Sequence, residues 1–187
     1  MQMTENTGFT IRDASPSDAR FVAWTVLTAI GRTAEGDEME RLAKSCSLPD
    51  TLYSYRNSRL AMDGDKPVAC LIAYPGQRYR EMRDRTWKEV WKDEGFNLDE
   101  IADETAAGEY YLDSMAALPE YRGCGIAPLL FSDAFDRARK LGLETVSLIA
   151  DLESPRLLNH YRKIGFEDKE KVLFFGEEYI RMTINIK

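Results

Sequence analysis

The segment of this sequence that most suggests chemistry is PEYRGCGIAPLL, residues 119–130, where two glycines flank a cysteine just before an apolar run. The first four N–H groups of a helix lack partners within the helix and carry partial positive charge, so they can bind a phosphate that no side chain obstructs. Gly123 and Gly125 leave that space open, and Ala127 is small. Arg122 adds a fixed positive charge. The pattern therefore predicts a diphosphate-binding turn at the start of a helix.

Two other interpretations of this turn stay open from its residues alone. A short glycine motif can occur in a loop that only changes the direction of the chain. Gly123-x-Gly125-x-x-Pro128 is also close to the dinucleotide-binding pattern, with Asp151 after the next strand as a possible ribose ligand. Against this second alternative, Pro128 replaces the third glycine, and LPEYR separates the strand from a turn that should be tight. The unit also lies late in the chain, which leaves no room for a substrate domain after it.

Carboxylates in the strand EYYLDSMAAL, residues 109–118, could bind or move a proton. Because strand side chains alternate between faces, Glu109, Tyr111, Asp113 and Met115 are predicted to share one side. An aspartate in an otherwise apolar strand is costly to bury unless it is paired or hydrated. Asp113 is therefore the preferred candidate for a base or an amine-binding group, whereas Glu109 is expected at a solvated strand end. The single histidine, His160, is expected on the surface.

The elements that must position these residues follow from hydrophobic periodicity and from glycine and proline signals. They are strands near residues 9–15, 109–118 and 144–151, helices near 18–30, 37–44, 52–55, 126–141 and 155–164, a hairpin with arms 58–62 and 67–74, and a closing hairpin that turns at 176–177. A strand–helix–strand unit implies a parallel pair, and hairpins add antiparallel strands. We therefore predict one α/β domain over residues 1–187, with a single mixed, mostly antiparallel sheet and helices on both faces.

Composition narrows the function classes. The 187 residues carry a net charge of −7, which disfavours nucleic-acid binding because phosphate contacts need clustered Lys and Arg. No apolar run approaches the ~18 residues of a membrane span, and no signal peptide is visible, so we expect a cytoplasmic protein without a membrane partner. Cys46, Cys70 and Cys124 form no CxxC pair and there is a single histidine, so neither a disulfide framework nor a metal site is expected.

Two motifs together resemble the GNAT superfamily of N-acetyltransferases. RGCGIA, residues 122–127, is similar to the Q/R-x-x-G-x-G/A signature that opens a helix in this family, and NHYRKIGF, residues 159–166, is similar to its LY-x-K-x-GF segment. The opening TIRDASPSDA also resembles the first strand and helix of the family. The resemblance spans nearly the whole chain and is weakest over residues 31–58 and 77–108.

This resemblance implies transfer of an acetyl group from acetyl-CoA to a primary amine of a small molecule or peptide, by direct attack in a ternary complex. It implies a central parallel strand pair that splays to admit CoA. The implied CoA-binding residues are Met115, Ala116 and Ala117 along the pantetheine arm, Arg122, Gly123, Cys124, Gly125, Ile126 and Ala127 around the diphosphate, and Ser154, where the family often has asparagine. Tyr161 matches the family's proton donor to the departing thiolate, and Asp113 would be the catalytic base. A backbone N–H near Ala116 or Ala117 would stabilise the oxyanion.

The acceptor and other partners are less defined. Residues 77–108 form either a solvated, mostly helical face or a variable helical insert that forms the wall of the acceptor site. Its acidic run from Asp93 to Glu104 suits a polyamine, an aminoglycoside or a lysine-bearing peptide. Its aromatic residues equally suit an aromatic amine or amino acid; they are Tyr79, Trp87, Trp91 and Phe96. A homodimer through the closing hairpin is possible. The functional alternatives are a non-catalytic acyl-CoA-binding module and a nicotinamide-dependent oxidoreductase.

Overall fold

A computed structural model of the protein describes residues 8–92, 94–95, 97–174 and 176–187. Its strands, in chain order, are β1 (Thr10–Asp13), β2 (Ser58–Asp63), β3 (Lys66–Pro75), β4 (Glu109–Ala117), β5 (Thr145–Asp151), β6 (Glu167–Phe174) and β7 (Glu177–Asn185). They form one seven-stranded sheet in the order β1-β2-β3-β4-β5-β7-β6. The pair β4–β5 is parallel, and the other described pairs are antiparallel. The predicted mixed, mostly antiparallel sheet is confirmed.

Helices cover both faces of this sheet. They are α1 (Ala19–Ala29), α2 (Gly36–Cys46), α3 (Tyr79–Val90), α4 (Ile126–Lys140) and α5 (Pro155–Ile164). The first three pack on one face, in a core that includes Val22, Leu42 and Trp87. The last two pack on the other face, in a core that includes Leu130 and Leu158. The sheet therefore has two separate hydrophobic cores, one on each side.

The central strand β3 shows why helices must cover both faces of the sheet. Its residues from Val68 to Tyr74 are all buried. Side chains alternate across a strand, so Cys70 and Ile72 enter the α1–α3 core whereas Leu71 and Ala73 enter the α4–α5 core. A continuous apolar run of this kind is typical of a strand that is buried on both faces.

The ends of α4 follow from glycine placement. Gly125 precedes the helix with φ of 79°, and Gly142 follows it with φ of 73°, in the left-handed region that favours glycine. The predicted apolar stripe is confirmed from Ile126 to Ala138, which are both buried. At the last predicted position, Leu141, the side chain is 58% exposed, so the buried stripe is one turn shorter than predicted.

The predicted helix at residues 52–55 is wrong. The structure has a short 3-10 turn at Tyr55–Asn57 instead. The side-chain amide of Asn57 donates to the carbonyls of Thr51 (3.1 Å) and Leu52 (2.9 Å), and the Ser54 hydroxyl accepts from the N–H of Arg56. Such side-chain to backbone bonds compete with helix formation and hold this segment in successive turns.

Residues 77–108 are helical over only part of their length. The helix α3 ends at Val90, and a 3-10 turn follows at Leu98–Glu100. The helix is also not a solvated face, because it buries one side that includes Met82 and Val90. The predicted helix therefore extends too far, and the composition did not show that one face of α3 packs on the core.

Candidate active site

A cleft opens in the middle of the sheet between β4 and β5. These strands pair only at Glu109 with Thr145, Tyr110 with Val146 and Tyr111 with Ser147. Beyond these pairs, β4 continues to Ala117 along β3, and β5 continues to Asp151 along β7. The two strands therefore separate, and the predicted splay of the parallel pair is confirmed.

The closed end of this cleft is held together by an ion pair. The side chains of Glu109 and Arg181 hydrogen-bond, and they are only 13% and 15% exposed. Glu109 also accepts from the hydroxyl of Thr105 (3.0 Å) and the N–H of Ala106 (3.2 Å). Although burial opposes it, hydrogen bonds from Arg181 and Ser147 hold the pKa of Glu109 below its usual value. The expectation that Glu109 lies at a solvated strand end is wrong, since it fastens β4 to β7 across β5.

A β-bulge in β4 determines which way Asp113 points. Ile72 pairs with Ser114 and the next residue of β3, Ala73, pairs with Leu112, so Asp113 is an extra residue in β4. Tyr111 belongs to the α1–α3 core, whereas Met115 packs against the α4–α5 core. The predicted shared face of these residues is therefore wrong beyond the bulge, because the extra residue reverses the alternation.

Asp113 lies at the point where β4 leaves β5, half-buried on the α1–α3 side. Its carboxylate accepts hydrogen bonds from the Tyr74 hydroxyl (2.5 Å) and the Ser114 hydroxyl (2.7 Å). Burial raises the pKa of Asp113 to about 6, against the opposing effect of these two hydrogen bonds. The carboxyl group is therefore largely ionised at neutral pH but has a higher proton affinity than a solvated aspartate, which suits a general base.

Tyr161 reaches the same cleft from the opposite face of the sheet. It lies on α5, half-buried, with its ring against those of Phe131 (6.3 Å) and Phe166 (5.9 Å). Burial raises the pKa of Tyr161 to about 12, so the phenol keeps its proton at neutral pH. The residues that line the cleft are Leu71, Leu112, Asp113, Ser114, Met115, Phe131, Leu148, Ile149 and Tyr161. An ionised carboxylate and a protonated phenol thus face one cleft.

The glycine turn lies beyond the end of β4, before α4. Gly123 and Gly125 have φ of 81° and 79°, and a Cβ built at Gly123 would meet nothing within 4 Å. No carbonyl of the described residues accepts from the N–H groups at the turn and helix start; these belong to Gly123, Gly125, Ile126 and Ala127. Arg122 is exposed beside the turn, with its Nε 3.4 Å from the carbonyl oxygen of Ala117. The turn therefore offers free donors, open space and a positive charge to an anion.

The backbone of β4 also presents hydrogen-bonding groups to the cleft. The N–H of Leu118 donates to the carbonyl of Val68 (2.9 Å), so Leu118 bonds towards β3. Backbone groups alternate along an antiparallel pair, so Ala116 also bonds towards β3. Met115 and Ala117 consequently turn their N–H and C=O groups towards the cleft.

Ser154 occupies the N-cap position of α5 but does not cap it through its side chain. Its hydroxyl donates to the Asp151 carboxylate (3.2 Å), which also accepts from the N–H of Glu153 (2.8 Å). The Ser154 side chain is therefore held by the turn that precedes α5 and not by the first N–H groups of the helix. In the dinucleotide alternative the Asp151 carboxylate would bind a ribose, but here it accepts hydrogen bonds from Glu153 and Ser154 in its own turn. His160 is exposed, as predicted, and Cys124 is an exposed free thiol.

Sequence reasoning missed Glu104, which is only 8% exposed. Its carboxylate accepts hydrogen bonds from the hydroxyls of Tyr79 (2.8 Å) and Tyr111 (2.7 Å). Burial, and next the charge of Asp113, raise the pKa of Glu104 to about 7. No local signal distinguishes Glu104 from its acidic neighbours, because its burial depends on how α3 and β4 place Tyr79 and Tyr111 around it.

The aromatic residues expected to contact an acceptor are mostly part of the core. Tyr79, Trp87 and Trp91 are 2%, 6% and 6% exposed, so their predicted exposure to an aromatic amine is wrong. Phe96, and Asp93 at the start of the acidic run, lie outside the described residues. Of that run, Asp103 pairs with Arg80 (2.7 Å), so its charge is partly neutralised within the protein.

Comparison with known proteins decides the family. The profile of the acetyltransferase (GNAT) family matches residues 29–166, more than half of the chain. The chain belongs to this family. An N-acetyltransferase from Staphylococcus aureus Mu50 has the same fold, with a TM-score of 0.78 and 22% identity, over 94% of this chain and 100% of that one.

Two further matches extend this comparison. The NatC complex bound to Gag peptide and CoA contains a chain with a TM-score of 0.59 and 14% identity, over 96% of this GNAT chain and 99% of that one. An uncharacterized N-acetyltransferase of Methanocaldococcus jannaschii is 37% identical over 54 residues, which are 29% of this chain and 24% of that protein. The chain therefore matches about a quarter of this relative's length.

Family membership confirms the GNAT resemblance and argues against the nicotinamide-dependent alternative. The predicted α/β architecture agrees with that of the solved N-acetyltransferase. Among the helices of the described ranges, none is both long and apolar enough to span a membrane.

Proposed function

We propose that this protein transfers an acetyl group from acetyl-CoA to a primary amine. One observation carries the proposal: Asp113 and Tyr161 line the same cleft, and they enter it from opposite faces of the sheet. At neutral pH the ionised Asp113 can accept a proton, and the protonated Tyr161 can donate one. Amide formation from a thioester and an amine needs both functions.

Acetyl-CoA would bind along the open half of the cleft. The free N–H groups of the glycine turn and the exposed Arg122 fit its diphosphate. The unpaired backbone groups of Met115 and Ala117 fit the amides of the pantetheine arm, which would add to β4 as an extended strand does. The family and the CoA-bound structure of similar fold support this assignment.

Asp113 would take the proton from the amine. An amine such as that of lysine has a pKa of ~10.4 and is mostly protonated at neutral pH, so it must lose a proton before it attacks the thioester carbon. A partly desolvated carboxylate with a raised pKa accepts this proton, either directly or through a water molecule. The Tyr74 and Ser114 hydroxyls hold Asp113 in position.

Tyr161 would return a proton to the sulfur that leaves. Its phenol stays protonated at neutral pH and lines the cleft. The N–H of Met115, which turns towards the cleft beside Asp113 and Tyr161, would stabilise the negative charge that develops on the carbonyl oxygen, and the Met115 carbonyl and the Ala117 backbone would remain for the pantetheine arm. The attack is direct, and no residue of the chain becomes acetylated.

The acceptor amine would approach past the segment that precedes β4. A surface pocket of about 380 Å³ lies there, lined by residues 76–81, 103 and 105–107. On this proposal, part of the 77–108 segment would form the wall of the acceptor site. Its exposed charged side chains favour a polar small molecule or the end of a peptide as acceptor.

The test is acetyl transfer to a panel of amines, followed by release of the CoA thiol and by mass of the product. The variants are Asp113→Asn and Tyr161→Phe, with Asp136→Asn and Tyr55→Phe as controls for the same chemical changes at other sites. We expect each cleft variant to lose ~10²–10⁴-fold in kcat, the usual contribution of general acid–base catalysis, and each control to keep its activity.

Two results would reject the proposal. If acetyl-CoA binds but no amine of the panel is acetylated, the protein is an acyl-CoA-binding module. If acetylation proceeds equally well in both cleft variants, the cleft is not the reaction site.

A further inference from the structure

A second buried carboxylate lies beside Asp113 but outside the cleft. Glu104 precedes β4 and does not line the cleft between β4 and β5. It is bound by two phenols, Tyr79 from α3 and Tyr111 from β4. A buried carboxylate without a salt-bridge partner is costly, and none of the described Lys or Arg side chains forms a salt bridge with Glu104.

Tyrosines connect the surroundings of the two carboxylates. Tyr111 donates to Glu104, and its cross-strand neighbour Tyr74 donates to Asp113. The rings of these two tyrosines lie 5.7 Å apart on the same face of the sheet. Negative charge on either carboxylate raises the pKa of both phenols, after the larger effect of burial. The two acids therefore share one low-dielectric environment.

The other titratable and charged groups around Glu104 do not neutralise it. They are Tyr53 after α2, Tyr79 and Arg83 on α3, and Tyr179 on β7, all of which interact with its charge. Arg83 is the positive member of this set, and its guanidinium pairs with Asp84 (2.9 Å) and Asp103 (3.3 Å) instead. The negative neighbour of Glu104 is Asp113.

We propose that Glu104 is a positioning residue, which rests on the proposed acetyl transfer: its negative charge strengthens Asp113 as the base without contacting either substrate. Electrostatic coupling is reciprocal, so each carboxylate favours the protonated form of the other by the same amount. When Glu104 is ionised, Asp113 holds a proton more tightly. When Glu104 is protonated, this effect is absent.

This coupling makes the contribution of Glu104 depend on pH. Glu104 changes from neutral to ionised around pH 7, where its pKa lies. Glutamine has nearly the same shape as protonated glutamate and no charge. The kcat/KM of Glu104→Gln should therefore equal that of the wild type below about pH 6 and be lower than that of the wild type above about pH 7.

The first experiment measures kcat/KM against pH, between pH 5.5 and 9, for the wild type, Glu104→Gln and the control Glu144→Gln, with one acceptor amine. Dividing wild-type by variant rates cancels the titration of the amine itself. We expect the ratio for Glu104→Gln to rise two- to tenfold across pH 7, since coupled acids differ by about one pK unit, and the ratio for Glu144→Gln to stay flat. A ratio that is the same at all pH values would show that Glu104 only supports the fold and would overturn the proposal.

The second experiment needs no enzymatic activity and no change at Glu104. Carbon-13 NMR of the side-chain carboxyl group follows the titration of Glu104 in the wild type and in Asp113→Asn. We expect the midpoint of Glu104 to move to lower pH in Asp113→Asn, because its negative neighbour is gone. An unchanged midpoint would overturn the proposal. A wild-type protein that shows this coupling but acetylates no amine would instead refute only the proposed acetyl transfer.

Discussion

Gly76 gives a sharp test of how the segment that carries Glu104 is held in place. The residue follows β3, and a Cβ built on it would lie 2.2 Å from the carbonyl oxygen of Ala106 and 2.8 Å from the hydroxyl oxygen of Thr105. The first of these contacts is to backbone, which cannot rotate away as a long side chain can. Gly76→Ala must therefore displace the chain around residues 105–106.

The size of this effect follows from two contributions. Forcing an extra methyl group into a closely packed site typically costs ~1–3 kcal/mol. The displaced segment also carries hydrogen bonds that hold Glu104 and Glu109, and each lost bond costs about 1 kcal/mol. Because Gly76 has no left-handed φ, alanine itself adds no backbone strain there. We expect Gly76→Ala to lower the free energy of unfolding by about 2–4 kcal/mol.

Urea denaturation at neutral pH measures this loss. Gly64→Ala is the matched control, because a Cβ at Gly64 meets nothing within 4 Å and its φ is +56°. It should lose only the ~1–2 kcal/mol of left-handed backbone strain. A Gly76→Ala protein within about 0.5 kcal/mol of the wild type, the range of a surface substitution, would show that Ala106 does not press on Gly76.

Two further predictions concern buried charge. Arg181→Met leaves Glu109 buried without its partner and should lower the free energy of unfolding by about 3 kcal/mol. The control Lys187→Met breaks an exposed ion pair and should lower it by under about 1 kcal/mol. Equal losses of the two variants in urea denaturation would refute this prediction. The pKa of Glu104 is raised on folding from 4.5 to about 7, so the folded state binds its proton more tightly and wild-type stability should fall as pH rises through that window. Glu104→Gln should show a smaller fall between pH 5 and 8, and an identical fall would contradict the assigned burial.

The elements around the site were predictable wherever glycine and proline mark their ends. The helix α5 begins at Pro155 and is followed by Gly165 with φ of 114°, as its sequence indicates. Gly125 likewise marks the start of α4, and Gly142 marks its end. These residues act locally, so the sequence shows them directly.

The features that sequence reasoning missed all depend on distant partners. The bulge at Asp113 arises from the register between β3 and β4, and no residue in β4 signals it. Glu109 is buried because Arg181 meets it from the far end of the chain, and Glu104 is buried by Tyr79 and Tyr111. Glu109 was expected in solvent, because periodicity shows which apolar residues are buried but not which charges are compensated.

The measurement that tests the central claim most directly is the binding of acetyl-CoA to the purified protein, followed by thermal unfolding. Ligand at ~100 times its dissociation constant should add ~2.7 kcal/mol of stability. We expect this gain with acetyl-CoA and CoA, its loss in Arg122→Glu, and its retention in Lys140→Glu, which makes the same change at the other end of α4. A wild-type protein stabilised by NADH or NADPH and not by acetyl-CoA would contradict the account, and so would an Arg122→Glu protein that keeps the full gain.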